Sequence, residues 1–218
     1  MIICSLSGCL KGQPEEELVY FNNFEQESRL EGAAQNKGYL TSTYGPNITT
    51  EYNHSTVLGR FGTGGVLINL EQLPAHDYIR IEFDLYIHDS WEGNGLRGNG
   101  EDVFILNLDE TTLYFSSIIN TKCLDKNCTE KQSFPAIIRA GVNPENAFVT
   151  DPSLPGACYW SGDKGGTKKI RITELYPHSN IISTIKIGAD IKDAGDDLCF
   201  KSWSVDNIMI TTLQIPDL

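Results

Sequence analysis

The sequence predicts an all-β protein, a two-sheet antiparallel β-sandwich of the jelly-roll kind. Three observations carry this. First, ten residues alternate strictly: Ile79, Ile81, Phe83, Leu85 and Ile87 fall on one face and Arg80, Glu82, Asp84, Tyr86 and His88 on the other, the period-2 pattern of a half-buried strand. Second, several short runs rich in aromatic and β-branched residues recur between Gly- and Asn-bearing turns, the rhythm of a sandwich. Third, no segment sustains an apolar period of 3.6 residues over three turns. A length of 218 residues suits one such domain.

Residues 1–17 are expected to be a lipoprotein signal remnant and an acidic tether. Leu6-Ser7-Gly8-Cys9 has the form of a bacterial lipobox, in which cleavage exposes Cys9 for lipidation, and Glu15-Glu16-Glu17 follows as a spacer. Before Cys9 stands only the end of the apolar core that a signal carries. The expected location is therefore outside the cytoplasm, in a bacterial cell envelope by a lipid anchor or secreted. Membrane contact is expected through that anchor alone, because no run of about 18 apolar residues occurs.

The sandwich is expected over residues 18–213, with 214–218 as a tail. Residues 18–25 (LVYFNNFE) read as the first strand, and 26–56 as a long polar loop with one short strand. Two strands, 57–62 and 65–70, stand around a Gly turn. After the strand at 79–88, residues 102–108 and 112–119 form a hairpin about Asp109-Glu110. Residues 120–166, with Pro135, Pro144, Pro152 and Pro155, read as loops. Strands at 168–175, 181–187 and 202–213 close the chain.

Beyond Cys9, four cysteines of an exported domain suggest disulfides. The expected pairs are Cys123–Cys128, a local loop, and Cys158–Cys199, a distant tie. Zinc is the rival, but paired C-x₂₋₄-C knuckles at both ends are missing. The formal charge is 17 − 29 = −12. The densest basic cluster, Lys164, Lys168, Lys169 and Arg171, is too short to neutralise a run of phosphates, so nucleic acid is excluded as a partner.

Three segments carry a resemblance. Val57-Leu58-Gly59-Arg60-Phe61-Gly62, then Leu73-Pro74-Ala75-His76-Asp77, then Phe83 through Asn94 (FDLYIHDSWEGN), resemble an uncharacterised family of exported bacterial β-sandwich proteins with LPxH and FDLYxxDSWDG signatures. Its closing SWGxDN signature is matched by Ser202-Trp203-Ser204-Val205-Asp206-Asn207. Glu92 stands where Asp is usual and Ser204 where Gly is usual. The resemblance implies a concanavalin-like or galactose-binding-like jelly roll and no particular activity. In similar jelly rolls the terminal strands are adjacent and acids on them hold a structural calcium, which singles out Glu25 and Asp206.

The loop 89–102 gathers carboxylates, amides, four glycines and one tryptophan. Asp89, Trp91, Glu92 and Asn94 are the candidate ligand-binding residues, with Trp91 as a stacking face for a sugar ring. The alternative is that Trp91 plugs the end of the sandwich. Hard oxygen ligands on such a loop suit Ca²⁺, so the candidate metal residues are Glu25, Asp89, Asp102 and Asp206, and the calcium is expected to be structural. Glu82-Phe83-Asp84 is similar to the acid motif of jelly-roll glycanases, but the third carboxylate is missing. With no complete catalytic set, the expected function is a non-catalytic module that binds carbohydrate or a surface. A structural or protein-adhesive domain is the alternative, and a jelly-roll glycoside hydrolase comes behind both.

Overall fold

A computed structural model describes residues 13–25, 36–42, 49–94, 100–121, 131–136, 142–192 and 198–216. Twelve strands are present among the described residues: β1 (Glu15–Asn22), β2 (Gly38–Ser42), β3 (Thr49–Tyr52), β4 (Ser55–Phe61), β5 (Gly64–Leu70), β6 (Tyr78–Asp89), β7 (Val103–Leu108), β8 (Thr111–Ser117), β9 (Asp151–Pro155), β10 (Lys164–Pro177), β11 (Ser183–Asp190) and β12 (Lys201–Gln214). They form two sheets in which every pairing is antiparallel. One has seven strands in the order β3-β4-β12-β6-β10-β9, with β1 also bonded to β12. The other has five, in the order β2-β5-β11-β7-β8. The fold is the expected all-β sandwich.

Strand β6 lies at the centre of the larger sheet, bonded to β10 on one edge and β12 on the other. Its apolar set (Ile79, Ile81, Phe83, Leu85, Ile87) is fully buried between the sheets with Phe104, Ile170, Ile187 and Trp203. Each such side chain contributes roughly 1.5–3 kcal/mol by leaving water. The opposite face departs from the half-buried expectation, because every residue from Phe83 to Asp89 is buried. There Tyr52 of β3 covers the polar face, its ring edge-on to Tyr86 and His88 and its hydroxyl donating to Pro155 O at 2.6 Å. Burial pulls the His88 imidazole down to about 3. It is neutral at ordinary pH, between Thr167 Oγ1 and Ser204 Oγ.

Other differences have physical reasons. The two strands about the Gly turn do not pair: β4 joins β12 and β5 joins β11, so the turn carries the chain from one sheet to the other. At Gly59, with φ +141°, a Cβ would come within 2.6 Å of Ser204 Cβ, so only glycine lets β4 approach β12 there. Residues 15–17, expected in the tether, are the first rungs of β1 against Gln214, Leu213 and Thr212. β9 arises in the proline-bearing stretch as an edge strand, where Pro152 and Pro155 leave no central ladder bond unmade. The 102–119 hairpin forms as β7 and β8 about Asp109 and Glu110.

Cys158 and Cys199 are disulfide-bonded, 41 residues apart in sequence. Cys9, Cys123 and Cys128 lie outside the described residues. Closing a loop of this length stabilises the fold by about 4 kcal/mol on the chain-entropy account. Urea unfolding of the Cys158→Ser/Cys199→Ser double variant is expected to show that loss as a lower midpoint.

Candidate functional site

The two ends of the sandwich are built differently. At the end where β6 finishes, the expected ligand loop is folded inward. Asp89 is fully buried, and its carboxylate accepts the backbone N–H of Trp160 at 2.9 Å and of Cys158 at 3.2 Å. Burial raises its pKa and these N–H groups oppose the rise. Asp89 thus fastens the 156–160 loop, where a Cβ on Gly156 would lie 2.5 Å from the Trp160 carbonyl. Trp91 is 0% exposed, part of the core, and its Nε1 donates to Ser202 O at 2.8 Å. This corrects the expectation of a sugar-stacking face: an indole with no exposed surface offers none, and Trp91 plugs the sandwich end.

Glu92 and Asn94 are partly buried. The Glu92 N–H donates to Asp102 Oδ2 at 2.6 Å, and Asn94 Oδ1 accepts from the Ser117 hydroxyl. These two and Asp89 therefore serve the loop's own architecture rather than converging with Trp91 on an open face. Among the described residues, the disulfide-joined segments expose two aromatic rings at this end. Tyr159 and Phe200 stand at the surface with their rings edge-to-face and centroids 5.0 Å apart.

The four candidate metal residues separate into three places. Asp102 is buried, with Oδ1 accepting from Lys192 N at 2.8 Å and Oδ2 lying 3.1 Å from Lys201 Nζ. Lys201 is itself 1% exposed and also donates to Lys192 O. Burial pushes Asp102 up to about 6, against the pull of that ammonium. An internal cation thus already stands where calcium was expected at Asp102, and Asp89 is occupied by backbone donors. Glu25 and Asp206, by contrast, do meet, as the terminal-strand argument anticipates. Ser55 Oγ lies 2.6 Å from Glu25 Oε1 and 3.1 Å from Asp206 Oδ2, one hydroxyl between two carboxyls. Thr56 N donates to Glu25 and Asn207 N to Asp206. Burial, with the charges of Asp84 and Glu25, pushes Asp206 up to about 6. Among the described residues no group of three or more His, Cys, Asp or Glu side chains is arranged to hold a metal ion.

The glycanase-like strand carboxylates are likewise committed. Glu82 pairs with Arg171 and Arg80, and Asp84 with Lys169 at 2.8 Å, Arg171 at 3.3 Å and Asn207 Nδ2 at 3.0 Å.

At the opposite end, before β6 begins, an open groove of about 710 Å³ runs between β2, β5, the β7–β8 turn and the β10–β11 link. Tyr39, 51% exposed, and Tyr176, partly buried against the core, are among the residues that line it. Glu71, Asp109 and Glu110 supply carboxylates, and among its lining residues there is no lysine or arginine. Asp109, at φ 51° in the turn, accepts from Ser183 Oγ at 3.0 Å and Thr184 N at 2.8 Å. Beyond it His178 and His76 stack with ring centroids 5.0 Å apart. None of these residues was singled out from the sequence as a site. They are assembled from segments as far apart in sequence as Tyr39 and Thr184, and no local spacing joins them.

Fold and groove together define an antiparallel β-sandwich with an open groove at one end and, among the described residues, an end sealed by the buried Trp91 at the other. No protein family and no curated protein matches the sequence. Among solved structures, the CBM22-1 xylan-binding domain of Paenibacillus barcinonensis Xyn10C is similar at 10% identity, covering 93% of this chain and 98% of that one with a TM-score of 0.40. A family 35 carbohydrate binding module from Clostridium thermocellum is similar at 7% identity, 90% and 97% coverage and a TM-score of 0.34. The K2 cleaved adhesin domain of Lys-gingipain (Kgp) is similar at 10% identity, 88% and 96% coverage and a TM-score of 0.39. With TM-scores below 0.5 these likenesses carry no argument about residues or ligand.

The Asp102–Lys201 pair yields a stability prediction. Lys201→Met strands a buried carboxylate and is expected to cost about 3–5 kcal/mol. Lys192→Met removes only an exposed pairing with Asp190 and is expected to cost less than about 1 kcal/mol. Urea midpoints of the two variants measure the contrast.

Proposed function

We propose that this protein is a non-catalytic carbohydrate-binding β-sandwich that uses the groove bounded by Tyr39 and Tyr176. The observation that carries the reading is the groove itself. Its volume of about 710 Å³ lies in the range of roughly 300–1,000 Å³ typical of ligand pockets. A phenol ring offers a flat apolar face to the C–H surface of a pyranose and a polar tip to its hydroxyls. The carboxylates and the amides of Asn69 and Asn180 match the paired hydroxyls of a sugar as acceptors and donors. Three acids without a lining Lys or Arg select neutral or amino-bearing glycans and repel uronic acids. Display outside the cytoplasm through a lipidated Cys9 belongs to the same proposal.

A glycan array with neutral, amino and uronic sets tests this. Tyr39→Ala is expected to weaken binding to neutral or amino glycans at least tenfold, about 1.4 kcal/mol, without lowering the melting temperature. Oligosaccharides incubated with the protein are expected to remain uncleaved in chromatography. Binding to uronic acids alone would overturn the reading. The exposed Tyr159–Phe200 pair favours a second reading, a protein-adhesive domain working from the sealed end. Retention of no glycan, with adhesion lost in Tyr159→Ser/Phe200→Ser, would select it.

Calcium, in this proposal, is structural and sits at Glu25 and Asp206, the two candidates that meet. Two carboxylates around one hydroxyl supply hard oxygen donors, and a divalent cation would relieve the pressure between their charges. Binding at a hundredfold excess over Kd stabilises by about 2.7 kcal/mol, roughly 5–11 °C in a domain of this size. The melting temperature is expected to rise by that amount from EDTA to millimolar Ca²⁺, and not to rise in Asp206→Ala. An equal temperature in both buffers removes calcium.

A further inference from the structure

Beside the groove two imidazoles stand in line between two acceptors, a backbone carbonyl and a carboxylate. His76 Nδ1 is 2.6 Å from Pro74 O, His76 Nε2 is 2.7 Å from His178 Nδ1, and His178 Nε2 is 3.1 Å from Asp109 Oδ2. A carbonyl oxygen only accepts, so the first contact needs the proton on His76 Nδ1. An ionised carboxylate only accepts, so the last needs one on His178 Nε2. The middle contact needs one more between the two rings. Three hydrogen bonds require three protons, and two neutral imidazoles supply two. With only two protons, every choice of tautomers sets one lone pair against another.

We propose that the His76–His178–Asp109 chain holds one proton beyond two neutral imidazoles and a carboxylate, and that this proton fixes the wall and the charge of the groove. The proton is shared between the two rings, which together carry one imidazolium charge against the Asp109 carboxylate. It locks three segments together: the Pro74–His76 link before β6, His178 after β10, and the β7–β8 turn that Asp109 also ties to β11. Its loss sets acceptor against acceptor at His178 and Asp109 and leaves the wall more negative by one charge.

The surrounding groups act in known directions. Glu110 and Glu71 line the same groove and favour retaining the proton. Asp77 accepts the His178 N–H with its carbonyl and turns its carboxylate to Ile215 N. On β10, Glu174 accepts from Tyr114, and on β6 Arg80 is engaged by Glu16 and Glu82. Burial lowers the His178 pKa, His76 adds to the fall, and the attraction of Asp109 offsets only part of it. The hydrogen-bond count adds a preference for the proton that the unfolded chain, with separated histidines near 6.5, does not have. The sign follows. With the third hydrogen bond outweighing that fall, the protonated chain is bound more tightly in the folded protein and contributes its full stability below the unfolded histidine value of about 6.5. It is lost as pH rises through the folded chain's own transition.

Asp109→Asn is the decisive variant. Its amide keeps an oxygen for Ser183 and Thr184 and offers an N–H to His178 Nε2, so two neutral imidazoles then satisfy all three contacts. Nitrogen-15 spectra of the histidine rings and thermal melts across pH 5–9 make the test. In the wild type three of the four ring nitrogens of His76 and His178 are expected to carry protons below one shared step, and the melting temperature to fall across it. In Asp109→Asn two are expected to carry protons throughout, with no step and no fall. Two protonated nitrogens at every pH in the wild type, or an unchanged step in Asp109→Asn, would overturn the proposal.

Control of a ligand, unlike the proton count, rests on the carbohydrate reading. A neutral glycan retained on the array is expected to bind more weakly above the step. Equal affinity on both sides overturns the coupling and leaves the proton chain standing. Absence of any glycan binding, with the step present, fails the carbohydrate reading alone.

Discussion

Strand β6 is hydrogen-bonded along both edges, from Tyr78 paired with Leu213 and Pro177 to His88 paired with Ser202 and Thr167. The remaining elements take their places from it. Its inner face sets the core. Its two neighbours, each fourteen residues long, carry the partners of its polar face: Lys169 and Arg171 from β10, Ser204 and Asn207 from β12. A one-residue slip would turn Phe83 and Leu85 outward and Asp84 and His88 into the core. The same register places the two ends, because the Leu73–Asp77 link enters β6 beside the groove and Asp89–Trp91 leaves it at the sealed end.

Charge burial follows from that central position. A side chain on the outer face of a doubly bonded strand is covered by the edge strands, and it persists there only with a partner. Asp84 has Lys169 and Arg171, Asp89 has backbone N–H groups, and Asp102 has Lys201. Lys168, nearly buried on β10, donates to Ile119 O and to Glu145, and burial lowers its pKa. These are internal solutions to desolvation. An acidic, glycine-rich loop reads in sequence as open and ligand-seeking, yet Asp89 and Asp102 at its two ends are consumed in internal contacts.

What the sequence made legible was local. The alternation of 79–88, the hairpin about Asp109 and Glu110, and the meeting of Glu25 with Asp206 all rest on short patterns or on the adjacency of terminal strands. The disulfide partner of Cys158 was one of three possible connectivities, and the long loop was the right choice. What failed needed non-local information. Periodicity shows that Trp91 follows a strand but not that its indole turns inward onto Ser202. The strands about Gly62 were recognised, but the chain's passage between sheets there was not. β9 escaped because proline argues against a strand except at an edge, and position in the sheet is a tertiary fact. The groove escaped for the same reason: Tyr39, Asp109 and His178 belong to three separate segments.

The two ends consequently differ in what holds them. The sealed end is fixed by a covalent bond between Cys158 and Cys199 and by backbone donors to Asp89, which hold as long as that carboxylate is ionised. The open end is held through side chains that exchange protons, and its three contacts can be satisfied together in only one state of protonation. A sandwich core of Ile, Phe and Trp has no titratable part in this and keeps the sheets together in either state. The paired imidazoles place one response to pH at the rim where Asp109 joins β7, β8 and β11, the only strand junction among the described residues at which a carboxylate meets two stacked imidazoles. That division places exchangeable protons beside the groove and a covalent tie with backbone donors opposite it.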